Sequence, residues 1–139
     1  LIPGRKLKTT DSRSVLPDML PYLKAVEASS IANVFVGAAL QNNWELAGKL
    51  MTYDLFHQPY RKHLIPDLES VRERSMEYGA YGAALSGAGP TLIVYAATGT
   101  SSELSYKLKK AFPSYTCEVL LPAESGVERS EGAFQKQEQ

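Results

Sequence analysis

The residues best suited to chemistry lie in a few short stretches. The first is Gly79 to Thr91, GAYGAALSGAGPT, where Gly79, Gly82, Gly87 and Gly89 recur among small side chains. Glycine takes positive φ without a Cβ clash and lets a backbone come close to a ligand. A turn through Ser86, Gly87, Ala88 and Gly89 can therefore aim amide N–H groups at an anion, with the Ser86 and Thr91 hydroxyls at its edges. A tight hairpin that needs the same glycines for its own geometry explains the stretch equally well. The spacing is not that of a dinucleotide fingerprint, and no Gly-Lys-Ser/Thr run supplies a Walker A loop.

Two arginines fall in turn-like stretches, Arg13 in TTDSR and Arg61 in HQPYR. A guanidinium donates two parallel bonds of fixed geometry, so two such forks would fix the position of a carboxylate or phosphate. Solvated loop arginines are the plainer alternative. His57 and His63 match a metal pair by type only: six residues is not a helical ligand spacing, and no cysteine or third histidine exists nearby. Asp54, near a helix end, reads as a capping or solvated carboxylate. Cys117 alternates within a strand-like run and reads as a small buried apolar residue.

The elements that must position these groups follow from periodicity. Leu1 and Ile2 read as a strand end stopped by Pro3 and Gly4, and Thr9 to Asp11 as the cap of a short helix closed by Pro17. Leu23, Val26, Ile31, Val34, Phe35 and Ala38 recur at three- and four-residue steps, predicting an amphipathic helix from Pro21. Asn42, three before Glu45, has capping-box spacing ahead of a second helix with Trp44, Ala47, Leu50 and Met51 on one face. HQPYRKHLIP reads as a loop. Pro66 opens a third helix that Gly79 closes. Ala83 to Leu85 and Thr91 to Ala97 are strands around the glycine turn, Thr100 with Glu103 opens a helix ended by Phe112-Pro113, and Thr116 to Leu121 is a final strand. The order strand, helices, strand, strand, helix, strand predicts an α+β fold of the ferredoxin-like, split β-α-β type, with extra helices in the first helical slot.

The chain has 139 residues, 44% of them apolar, with fifteen basic and fifteen acidic side chains that cancel. That is the size of one domain, which needs no disulfide to fold. The neutral balance argues against nucleic acid as a partner. The absence of any uninterrupted apolar run of 18 residues argues against a membrane. A lone cysteine fits a reducing compartment, so cytoplasm is expected. Apolar helical faces suit a core and a homodimer interface equally.

Three segments together resemble the GHMP small-molecule kinases. GAYGAALSGAGPT is similar to the glycine-rich motif of their C-terminal domain. DLFHQPYRKHLIPDLESVRE and TTDSRSVLP resemble the helix-loop-helix and the Thr-x-x-x-Arg-x-x-Leu-Pro segment of the homoserine kinases within that family. The resemblance implies transfer of the ATP γ-phosphoryl group to the hydroxyl of L-homoserine with Mg2+, giving O-phospho-L-homoserine for threonine biosynthesis. It also implies that residues 1–121 are the C-terminal, substrate-side domain. ATP and Mg2+ would be held mainly by an N-terminal kinase domain that has no counterpart in this sequence, so the chain alone is expected to be inactive. A polar tail, residues 122–139, is expected to be disordered.

By the same resemblance, Arg13 and Arg61 hold the homoserine carboxylate and Thr9 contacts the substrate. The turn of Ser86, Gly87, Ala88 and Gly89 closes on substrate and phosphates, with Ser86 and Gly87 touching both. No catalytic base, and no role for His57, is implied. The competing readings are a non-catalytic ferredoxin-like module that binds an amino acid or a partner chain, and a GHMP kinase for another small alcohol.

Overall fold

The computed structural model describes residues 1–123 and 125–127. Its elements are β1 (Ile2–Pro3), α1 (Thr9–Ser14), α2 (Tyr22–Leu40), α3 (Trp44–Met51), α4 (Gln58–Arg61), α5 (Leu68–Glu77), β2 (Gly82–Leu85), β3 (Leu92–Tyr95), α6 (Ser101–Ala111) and β4 (Tyr115–Thr116). Most of the tail expected to be disordered lies outside the described residues.

Two antiparallel ladders form, β1 with β4 and β2 with β3. Leu1 and Leu92 join them by a reciprocal pair of bonds: the Leu1 amino group donates to the Leu92 carbonyl at 2.8 Å, and the Leu92 amide donates back to Leu1 at 2.9 Å. The strands therefore run β4-β1-β3-β2, and β1 is central although it comes first. This is the α+β, ferredoxin-like arrangement expected, with α1 to α5 filling the enlarged first slot. Ile65, Leu68, Val71, Leu92 and Tyr115 form the core where α5 covers the strands.

Several local expectations are corrected. HQPYRKHLIP is not a plain loop: it holds α4 and a 3₁₀ turn over Lys62–Leu64, with Pro59 in the first turn of α4, where a missing N–H costs nothing. Pro66 lies before α5, whose N-cap is Asp67. Thr9 is the first helical residue of α1 rather than its cap, which is Lys8. Asn43, not Asn42, caps α3 by accepting from the Leu46 amide at 3.2 Å, while Asn42 takes the left-handed conformation at φ 56. The Thr100 hydroxyl donates back to the Ala97 carbonyl instead of capping α6. The last strand is only Tyr115–Thr116, so Cys117 sits half-buried beyond it, and burial pushes its thiol pKa up.

The largest departure is α2. Its periodicity predicts one buried apolar stripe, but only Ala28 and Ala38 are buried, and Leu23, Val26 and Val34 are exposed. Apolar residues lie all round this helix. This 19-residue helix holds an 18-residue window of mean hydropathy 1.3, long and apolar enough by length and composition to cross a membrane, although Lys24 and Glu27 interrupt it. Its main packing partner is α3. In turn α3 lies on β2 through glycine: a Cβ at Gly48 would collide with the Tyr81 carbonyl, and one at Gly82 with the Gly48 carbonyl.

Candidate functional site

The site is built by fastening three segments that are far apart in sequence. The first is α1, whose Ser12 is wholly buried and donates through its hydroxyl to the Ala88 carbonyl at 2.6 Å. The second is α4, which begins where Asp54 accepts from the amides of Phe56 at 2.9 Å, His57 at 3.1 Å and Gln58 at 2.6 Å. The third is the turn between β2 and β3, where Gly87 and Gly89 take φ of 61 and 78. Within that turn the Ser86 amide donates to Thr91 and the Gly89 amide to Ser86. The amides of Gly87 and Ala88 donate to no group among the described residues.

Arg61 ties the three together. Only 6% exposed, it donates from Nε to the Ser12 carbonyl at 3.0 Å and from Nη1 to the Gly87 carbonyl at 3.2 Å. A guanidinium has five N–H donors, so two are engaged by the scaffold and others remain for a ligand. Arg61 is thus a brace as well as a candidate anion contact. Arg13 differs: it is exposed, and its guanidinium has no partner among the described residues.

These groups border a cavity of about 460 Å³. Its polar lining comes from Arg13, Asp54, His57, Gln58 and Arg61, with Gly87 and Ala88 of the glycine turn beside them. Its apolar lining includes Ala28, Ile31, Ala32, Phe35, Leu50 and Met51 of α2 and α3. The Asp54 carboxylate accepts from three amides and so is tied to the start of α4, while the two guanidinium groups in the lining keep donors that can take an anion. Of the residues singled out from sequence, Arg13, Arg61, Gly87 and Ala88 meet at this cavity. Thr9, Ser86 and Gly89 do not line it; Thr9 is exposed, one turn before Arg13 on α1. His57 lines it and His63 does not. No group of three or more His, Cys, Asp or Glu suited to a metal occurs among the described residues, so they offer Mg2+ no cluster of ligands.

Sequence reading missed Ser12, Gln58 and Arg72. Gln58 is buried at the start of α4, donates to the Met51 carbonyl at 2.8 Å, and accepts from Arg72 Nη2 at 2.9 Å. Its one sequence signal was the Asp54 cap four residues earlier, which places the Gln58 amide against a carboxylate.

The family model for the C-terminal domain of GHMP kinases matches residues 35–114, more than half of the chain and including α3, α4 and the glycine turn. The chain belongs to the GHMP kinase family. Among GHMP relatives, it is 48% identical over 127 residues to a homoserine kinase of Shouchella clausii, covering 91% of this chain and 43% of that one. It is 47% identical over 120 residues to a homoserine kinase of Bacillus thuringiensis, covering 86% and 40%. The crystal structure of homoserine kinase from Cytophaga hutchinsonii superposes with a TM-score of 0.70 at 28% identity, over 80% of this chain and 35% of that one. The chain thus spans about two fifths of the length of the curated relatives it matches.

Proposed function

We propose that this chain is the substrate-side portion of a homoserine kinase, which transfers the γ-phosphoryl group of ATP to the hydroxyl of L-homoserine. The observation that supports the reading is that Arg13, Arg61 and the glycine-turn residues Gly87 and Ala88 line one cavity, with Arg61 bonded to the Gly87 carbonyl. The relatives' names supply the amino-acid substrate. Arg13 and the remaining donors of Arg61 take the homoserine carboxylate, and the glycine turn lies against the hydroxyl end and the transferring phosphate. Phosphoryl transfer depends mainly on positioning and on charge stabilisation, and Arg61, locked to two backbone carbonyls, loses little freedom when substrate arrives. ATP, with its Mg2+, is assigned mainly to the part of such a protein that this chain does not span. The setting assigned is the cytoplasm.

The test is a coupled ADP-release assay with homoserine. A polypeptide of the relatives' length containing this sequence should turn over, and the 139-residue chain alone should not. Turnover by the short chain at a whole enzyme's rate would refute the division of labour. Phosphorylation of a different alcohol in preference to homoserine would refute the substrate.

A further inference from the structure

Arg61 rides on α4, a helix of four residues. So short a helix is not stable by itself, since nucleation costs more than one turn of bonds returns. Its position must come from outside ties, and those to α3 and α5 converge at its first residue. The Gln58 backbone amide reaches Asp54, its Nε2 reaches the last carbonyl of α3 at Met51, and its Oε1 receives Arg72 Nη2 from α5. Arg72 is itself largely covered, shares only an exposed ion pair with Glu69, and has a buried Nε without a hydrogen-bond partner. Neither Gln58 nor Arg72 donates to Ser12 or Gly87; Arg61, one turn on, does.

We propose that Gln58 and Arg72, through the bond between them, are positioning residues that set where Arg61 stands in the cavity. The consequence for substrate rests on the homoserine kinase reading; the consequence for Arg61 itself does not. With the bond intact, α4 is pinned between α3 and α5 and the guanidinium meets both carbonyls. Without it, one buried oxygen loses a charged donor and α4 loses its tie to α5, leaving the Asp54 cap, the Met51 tie, the Lys24–Tyr60 contact and the bonds of Arg61 itself.

Two measurements test this. In a polypeptide of the relatives' length, Gln58→Met, Arg72→Met and the double variant should each raise the KM for homoserine about tenfold, the scale of a lost hydrogen bond to a charged group. The KM for ATP and kcat should hold within about twofold, and the double variant should be no worse than the worse single one, as for two residues acting through one contact. Additive losses, or a fall in kcat at unchanged homoserine KM, overturn the proposal. In the 139-residue chain labelled with ¹⁵N-arginine, exchange of the Arg61 Nε–H with solvent should be slow, and faster by about tenfold or more in Gln58→Met, with Arg72→Lys used if Arg72→Met does not fold. Unchanged exchange overturns the proposal. Failure of the wild type to phosphorylate homoserine refutes the functional reading alone, and the exchange result then decides this one.

Discussion

The Ser12 hydroxyl and the Ala88 carbonyl meet at 2.6 Å across 76 residues of sequence. Because the neighbouring Ser12 and Gly87 carbonyls are both held by Arg61, α1 and the glycine turn are clasped from two sides. Ser12→Ala leaves a partly buried carbonyl with one partner fewer, and should cost about 1 kcal/mol, within the range for such a bond. Urea unfolding of the wild type and variant measures it; equal midpoints would mean the clasp contributes nothing.

Arg13 and Arg61 should separate by what they do to the fold. The Arg13 side chain is exposed and without a partner among the described residues, so Arg13→Ala should shift stability by no more than about 0.5 kcal/mol while, on the proposed reading, weakening homoserine binding. Arg61→Ala removes a buried charged brace and, on the proposed reading, the carboxylate contact as well, and should weaken homoserine binding by about 2 to 5 kcal/mol while also lowering the melting temperature. Arg61→Lys should not rescue, since an ammonium cannot span two carbonyls as a planar fork does. Thermal melts beside homoserine KM values check both.

Gly48→Ala should be among the most damaging single changes in the chain, because its new Cβ would enter the Tyr81 carbonyl, a backbone atom that cannot swing aside. A loss of about 3 kcal/mol or more is expected. Gly79→Ala meets open space and suffers only from φ of 92, so it should cost about 1 kcal/mol. The ratio of the two, from denaturant midpoints, tests whether close approach or backbone conformation governs these glycines.

The alkaline limb of stability should report Tyr115. Its hydroxyl donates to Asp67 at 2.6 Å, and burial, then that bond and the Asp67 charge, push its pKa from 10.0 up to about 12. A phenol whose pKa is raised on folding stabilises fully below its unfolded value, and that contribution is lost between pH 10 and about 12. Tyr115→Phe should therefore start less stable and lose less over that interval. Cys117, also raised from its value of 9.0, adds a loss in the same direction, so the comparison belongs on a Cys117→Ser background.

How much was legible in sequence depended on how local the cause was. The strands around the glycine turn and the left-handed Gly79 follow from residue types within a few positions, and each was readable. The pairing of Arg13 with Arg61 was readable only as two forks of matching chemistry; the cavity brings them together. Arg61 as a brace was not readable, because its partners are carbonyls of Ser12 and Gly87, and backbone acceptors leave no mark on the order of side chains. The buried stripe expected on α2 failed for a related reason: a helix apolar on most sides gives spacing matches whichever face is covered. Gly48 passed as an ordinary helical residue, since only the strand beside it shows that a methyl group would not fit.

The central place of β1 carries a kinetic consequence. β2, β3 and α5 are neighbours in sequence and can assemble through local contacts, but the sheet is incomplete until Leu1 reaches Leu92 and Ile2 reaches Thr116. The entropy of closing so long a loop is lost before its contacts are gained, and all of α1 to α4 must be accommodated inside it. In pulse-labelled refolding, amides of β2 and β3 should gain protection before that of Thr116, and the clasp of Ser12 on Ala88 should form only in the last step. The lining that Arg61, Gly87 and Ala88 give the cavity would then be the final part of the molecule to mature.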